Sequence, residues 1–285
     1  MLSKLNIAEY LERIQANLSE PINSTKVIDH GWTNLVLEIN EQWIFRFVRD
    51  FNNRQIIIEQ EFLPRFTQVS PVKIPEIIKS DRDYIAYHKI LGERFSPEKF
   101  ALFSNSQKTQ LIKFLGEFLT CLHNFQFDHE YLSTAPYGGG DFWNDLWLAV
   151  KDDLSTKTRD KAEKYFADHI QQFNPTAYKQ TVIHADLGTN NILVDFEQNR
   201  LSGIIDFGDL CLGDPAADFA GFYRNFGRDF TQELISCYQR PIEENFWTRI
   251  EYESKRKMLF VVYFAKNYGF ESDVPDILQY IEELF

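Results

Sequence analysis

The chain has 285 residues, 44% of them hydrophobic, enough for one or two packed domains. It lacks an apolar run near the roughly 18 residues that span a bilayer, so no membrane partner is expected. Its net charge of −12, from 42 acidic and 30 basic residues, argues against nucleic acid, which needs a basic surface. The excess acid falls almost wholly in residues 92–285, where it would favour a cationic ligand. Cys121, Cys211 and Cys237 are far apart and show no CxxC spacing, so neither a disulfide framework nor a zinc site is expected. With Glu9 and Glu12 near the start and no apolar segment of signal type, the expected setting is cytoplasmic and reducing.

Residues 3–19 carry Ile7, Tyr10, Leu11, Ile14 and Leu18 at helical spacing, with Pro21 beyond the end. Residues 26–30, 35–39 and 43–48 read as three strands. The first turn holds Gly31, and the second is Asn40-Glu41-Gln42. On the third strand, alternation places Ile44, Arg46 and Val48 on one face, and a charge between apolar neighbours needs a partner or an edge. Residues 53–66 suggest a helix despite Pro64, with Glu59, Leu63 and Phe66 on one side. Glu59 is the expected partner of Arg46, with Glu61 as the alternative. A proline-bounded strand is expected from residue 71 and another over residues 84–90. Ser106 is expected to cap a helix to residue 125, whose buried stripe is Leu111, Ile112, Leu115, Phe118, Leu119 and Leu122. Residues 141–154 and 156–173 look helical and read as a helical hairpin. Beyond Asp218, helices are expected over 229–239, 242–267 and 275–284.

The most informative stretch is residues 182–218. Apolar runs at 192–196 and 201–205 flank Glu197-Gln198-Asn199-Arg200, the pattern of an antiparallel hairpin with a four-residue loop. Pairing Phe196 with Leu201 places Asn191 opposite Asp206, with Cβ atoms about 5 Å apart. Two hard oxygen ligands then meet at the open end of the hairpin, a donor set suited to Mg²⁺. Asp186, five residues before Asn191, is left to accept a proton.

The array His184-x-Asp186-x4-Asn191, then Asp206-Phe207-Gly208, resembles the catalytic loop and metal motif of protein-kinase-like enzymes. The sequel Gly213-Asp214-Pro215-x-x-Asp218 resembles the aminoglycoside phosphotransferase family, especially its members that modify the 2″ position. The resemblance covers nearly the whole chain. It implies an α+β, two-lobed protein-kinase-like fold: a small β-sheet-plus-helix lobe at residues 1–91 and a larger, mainly helical lobe at residues 92–285. A γ-phosphoryl group would pass from ATP or GTP to a substrate hydroxyl.

The resemblance also implies roles. Asp186 would be the catalytic base, Asn191 and Asp206 the Mg²⁺ ligands, and His184 a brace of the loop, with Asp214 and Asp218 as structural motif residues. Arg46, oriented by Glu59, would hold the α/β-phosphates in place of the family's lysine, beneath a phosphate loop at Gly31. Backbone groups of Tyr87, His88, Lys89 and Ile90 would meet the base. An aminoglycoside acceptor, a small cationic molecule, would find Asp209 in the cleft, with Asp229 and Glu233 as further candidates. A monomer is expected. The short run from Asp206 to Asp218 leaves little room for a peptide-docking segment, which disfavours a protein kinase. Competing readings are a kinase of choline, homoserine, a ketoamine sugar or a macrolide. From another class comes a catalytically silent nucleotide-binding protein, favoured only by arginine at position 46.

Overall fold

The computed structural model describes residues 7–28, 34–48, 54–128, 130, 132, 146–172, 179–198, 200–268 and 270–285. Helix α1 (Ile7–Asn17) precedes strands β1 (Thr25–Ile28), β2 (Asn34–Ile39) and β3 (Trp43–Val48). Helix α2 (Arg54–Phe66) follows, then β4 (Ile77–Asp81) and β5 (Tyr84–His88). The five strands form one antiparallel sheet in the order β1-β2-β3-β5-β4.

Period-two alternation divides β3 between two cores. Phe45 and Phe47 pack with Leu35, Leu37 and the α1-side residues Ile14 and Leu18. Ile44 packs on the opposite face with Ile56, Phe62 and Leu63 of α2. Each fully buried side chain of this kind contributes roughly 1.5–3 kcal/mol. Arg46 belongs to the second face, so α2 covers a charged residue and must supply its partner.

The strand expected from residue 71 begins only at Ile77. Pro71 and Pro75 have no N–H for a ladder, and the segment docks elsewhere, the Lys73 carbonyl accepting from Ile204 N at 2.9 Å. After β5, the two-residue strand β6 (Glu93–Arg94) pairs with β8 (Ile192–Asp195), which also pairs with β9 (Arg200–Ile204). Helix α3 (Pro97–Ala101) leads to α4 (Asn105–Asn124). The cap of α4 is Ser104, not Ser106: its hydroxyl accepts from Gln107 N, and Gln107 Oε1 accepts from Ser104 N. The anticipated stripe of α4 is buried in full.

The C-terminal region is mainly helical: α5 (Thr156–Gln172), α6 (Ala217–Ser236), α7 (Phe246–Tyr268) and α8 (Val274–Leu284). Helix α6 starts well before residue 229 and is broken at Gly227, whose φ of 79° lies outside helical space. Trp147, Val150 and Phe166 pack against Leu259, Val262 and Ile281, so residues 146–172 join the helical core through α7 and α8. A sheet lobe followed by this helical region is the two-lobed, α+β, protein-kinase-like architecture. No helix among the described residues is long and apolar enough to cross a membrane.

Candidate active site

Strands β7 (Thr181–Ile183) and β10 (Cys211–Gly213) pair antiparallel and bracket the motif residues between them. The hairpin inside that bracket differs from the sequence expectation in register. Ile192 pairs with Ile204 and Leu193 with Gly203, but Val194 pairs with Leu201 and Asp195 with Arg200. A bulge at Ser202 and a turn closed by Asp195, which accepts from Gln198 N at 3.0 Å, shift the strands. The Asn191 carbonyl therefore accepts from Ile205 N at 2.9 Å, and Asn191 is not opposite Asp206.

Asp218 at the start of α6 organises the loop. Wholly buried, it accepts hydrogen bonds from His184 N and Ala185 N, both at 2.8 Å. Its Oδ2 also lies 3.1 Å from His123 Nε2, while His123 Nδ1 meets the Tyr238 hydroxyl at 2.7 Å. Burial lowers the pKa of His123 despite that carboxylate. Ala185 is held at φ 65°, a left-handed conformation that non-glycine residues adopt at some cost. His184 Nε2 contacts the Ile205 carbonyl at 3.1 Å, tying the loop to the hairpin. Asp214 accepts from Ala216 N at 2.9 Å and from Arg249 Nε at 2.7 Å, which anchors the turn before α6 to α7. The His123–Tyr238 and Asp214–Arg249 links were not foreseen from sequence.

Arg46 and Glu59 meet in the interior, Nη1 to Oε1, at 2.5 Å. Glu61, the alternative, instead pairs with Arg65 on the surface at 3.0 Å. Glu59 Oε1 also accepts from Phe207 N at 3.1 Å, and Arg46 Nη1 lies 3.3 Å from Asp206 Oδ1. Strand β3, helix α2 and the Asp206-Phe207-Gly208 turn are thereby locked together. Burial pushes the Glu59 carboxyl up, to about 7, against the pull of Arg46. Burial alone would lower Arg46, but Glu59 and Asp206 outweigh it and raise its pKa. Gly208 has a steric reason: a Cβ there would stand 2.5 Å from Arg46 Nη2.

Asp206 sits at φ 63° with its side chain 47% exposed. Asn191 is buried, and its Nδ2 donates to the Asp186 carbonyl at 2.8 Å and to Asp186 Oδ2 at 3.0 Å. That leaves Asn191 Oδ1 as its remaining acceptor atom. One amide oxygen and one carboxylate are a hard-oxygen set that fits Mg²⁺, which takes its other ligands from water and phosphate.

Asp186 Oδ1 forms an ion pair at 2.9 Å with Lys257 of α7, a residue that no motif indicated. Burial alone would raise the Asp186 carboxyl, but Lys257, His184 and Asn191 hold it below the usual range. Asp209 accepts from Gln55 of α2 at 3.0 Å. Burial pushes it up to about 6, helped by Asp186 and opposed by Lys257, so Asp209 and Asp186 share one cleft. Asp229 and Glu233 are exposed on the segment after Gly227, and neither is among the charges that dominate at Asp186 or Asp209.

Tyr87 is buried close to Arg46 and Glu59, and His88 is exposed with its ring centroid 4.2 Å from that of Trp43. Lys89 N donates to the Gln42 carbonyl at 2.7 Å, and its Nζ pairs with Glu38 at 3.0 Å. Ile90 lies beyond the strand, where its side chain approaches Gly203. Gly31 lies outside the described residues.

The fold and the buried charge network define the class: a phosphotransferase of the kinase-like type. Residues 24–246 match the model of the phosphotransferase enzyme family (APH), and the chain belongs to that family. It is 26% identical over 118 residues to viomycin phosphotransferase from Streptomyces vinaceus, a match covering 38% of this chain and 39% of that relative. Its fold is similar to that in the GDP and kanamycin complex of APH(2″)-IIia, with a TM-score of 0.82, 20% identity and coverage of 97% and 98% of the two chains. A macrolide 2′-phosphotransferase type I aligns with a TM-score of 0.71 and 16% identity over 99% of this chain and 98% of the other.

The arginine at position 46 gives a direct test. With its charge oriented by Glu59, Arg46→Lys is expected to keep substantial phosphotransfer. Arg46→Ala is expected to raise the nucleotide KM or lower kcat by roughly tenfold or more, the loss of one charge-assisted contact. Steady-state kinetics against ATP and GTP read the result. A kinetically silent Arg46→Ala would reduce the residue to a structural arginine.

Proposed function

We propose that the chain transfers the γ-phosphoryl group of ATP or GTP to a hydroxyl of an aminoglycoside, with residues 1–91 on the nucleotide side and 92–285 on the acceptor side. The observation that carries the reading is that Asp186 is bonded to Asn191, Asp206 to the Arg46–Glu59 pair, and Asp209 feels the charges of both Asp186 and Asp206. Phosphoryl transfer needs positioning and charge neutralisation more than covalent help from protein. Asp186 orients the acceptor hydroxyl and takes its proton as the new P–O bond forms and the bond from the γ-phosphorus to the bridging oxygen breaks, releasing the nucleoside diphosphate. Asn191 and Asp206 would hold Mg²⁺, which would neutralise phosphate charge. Arg46 binds the α/β-phosphates and Glu59 fixes its fork. Tyr87, His88, Lys89 and Ile90 border the nucleotide base, and Gly31 lies in the loop over the phosphates. His184, Asp214 and Asp218 keep the loop in place.

The acidic excess beyond residue 92 and the position of Asp209 beside Asp186 favour a cationic acceptor. An acceptor ammonium held by Asp209 needs that carboxyl ionised. Acceptor affinity is therefore expected to be full above about pH 6 and to weaken as the pH falls through that value. Asp209→Asn is expected to remove this pH limb and to weaken acceptor binding more than nucleotide binding. Calorimetric titration of kanamycin at pH 5 and pH 7.5 checks both, and a limb that survives in Asp209→Asn assigns it elsewhere. Asp229 and Glu233 are secondary candidates for the same contact.

A metabolic kinase of small alcohols is the second reading, favoured by Lys257, a cation that a polycationic acceptor must face. A phosphorylation screen across aminoglycosides, macrolides, choline and homoserine separates the two. Transfer to none of the aminoglycosides, with nucleotide hydrolysis intact, would leave the second reading in front. Asp206→Ala is expected to abolish Mg²⁺-dependent nucleotide binding. Equal nucleotide affinity with and without Mg²⁺ in the parent would remove that assignment.

A further inference from the structure

We infer that Arg224 of α6 and Lys257 of α7 form a second anion site beside Asp186, one that takes an oxyanion during turnover. This rests on the phosphotransferase reading and extends it to a pair of residues that no motif marks.

Three observations place the pair. Gly221 of α6 packs directly on the catalytic loop: a Cβ at that position would collide with the Leu187 carbonyl oxygen and lie 3.3 Å from Gly188 Cα. Arg224 is one helical turn further on, so it projects from the same face of α6 toward that loop. Its charge couples to Asp186 and to Tyr280 of α8. Lys257 reaches the same carboxylate from α7, at 2.9 Å.

The second point is that the guanidinium is incompletely satisfied. Arg224 Nη1 is sealed from solvent and has no hydrogen-bond partner among the described residues. Burial lowers the pKa of Arg224, the reverse of what an arginine paired with a carboxylate shows. A sealed guanidinium N–H without an acceptor is costly, and a ligand that accepts from it would complete the group. Asp186 cannot serve both cations and also receive an acceptor hydroxyl. When the hydroxyl arrives, Lys257 loses much of its present partner and is left facing the cleft.

An oxyanion between the two residues satisfies both. The chemistry is that of a compact, multiply hydrogen-bonding anion, for which an arginine fork and a lysine point charge are suited. It has two possible sources: the phosphoryl group in flight between nucleotide and hydroxyl, or an acidic group carried by the acceptor.

The test titrates ADP·Mg²⁺ into the full-length protein with and without aluminium fluoride, a planar anion that mimics the transferring phosphoryl. L-Homoserine, a hydroxy acid, is then titrated into the ADP-loaded protein. If the phosphoryl group is the ligand, fluoride tightens ADP by about tenfold or more in the parent, the worth of a charge-assisted contact. That gain largely disappears in Arg224→Gln and Lys257→Gln, with ADP affinity unchanged. If the acceptor supplies the anion, the fluoride gain persists in the variants and homoserine binding is lost. Lys257→Arg retains the effect in either case. Parental behaviour of both variants toward both probes, or a parent indifferent to both, overturns the site. A parent that binds no ADP·Mg²⁺ overturns the phosphotransferase reading and this site with it. A melting curve adds a readout independent of ligands. Arg224→Met removes a sealed, unsatisfied donor, so the ligand-free melting temperature is expected to hold or rise. A fall of several degrees would make Arg224 a packing residue and reject the inference.

Discussion

Asp186→Ala is expected to lower kcat by about 10²–10⁴-fold while leaving nucleotide affinity nearly unchanged, the usual worth of a positioned base. The carboxylate is bonded to Lys257 of α7 at 2.9 Å and to Asn191 at 3.0 Å, whereas Arg46 and Glu59 pair between β3 and α2. On the proposed mechanism, removing it deletes the group that would orient the hydroxyl, and the Asn191 side chain keeps its bond to the backbone carbonyl of residue 186. Asp186→Asn separates orientation from proton acceptance, because the amide oxygen still accepts a hydrogen bond but takes no proton at neutral pH. The two variants are therefore expected to fall in the order Asn above Ala, both far below the parent. A variant that retains more than about a tenth of the parental kcat would reject Asp186 as the base. Single-turnover transfer, with ADP binding as the control, makes the measurement.

Asp218→Ala is expected to have the largest effect on stability, about 3–5 kcal/mol. The residue is buried, and its two oxygens serve His184 N, Ala185 N and His123 Nε2. Alanine strands two backbone N–H groups, each at about 1–3 kcal/mol, and leaves a histidine ring without its partner. It also removes what holds Ala185 at φ 65°. At about 2–4 °C per kcal/mol for a chain of this size class, the melting temperature should drop by roughly 10 °C. Asp218→Asn keeps one acceptor oxygen and is expected to lose less. Thermal melts of the three proteins decide the matter, and a change under 2 °C in Asp218→Ala would show that the loop is held by its neighbours instead.

Some of this was legible in the chain because it is local. The spacing from His184 to Asp218 marks the loop, the hairpin and the turn before α6, since these elements follow one another directly along the chain. The face of Arg46 followed from strand alternation, and Glu59 from the reach of a helix that must cover that face. The buried stripe of α4 followed from its period. By itself, then, the sequence determined the α+β class, the β3–α2 ion pair and the position of Asp186 five residues before Asn191.

The tertiary structure alone decided the rest, for identifiable reasons. Hairpin register is set by the turn: pairing Asp195 with Arg200 moved Asn191 away from Asp206, and the bulge at Ser202 recovered only one residue of that shift, leaving Asn191 opposite Ile205. The start of α6 was missed because the break at Gly227 divides its pattern. The cap of α4 was set by which serine Gln107 could reach. Lys257 is one of three consecutive basic residues on an amphipathic helix, and Arg224 one of several polar residues on another. No spacing connects them to Asp186, because the connection runs through space, across the packing of α6 and α7 on the catalytic loop. Only that packing determines which of many similar charges stand beside the Asp186 carboxylate.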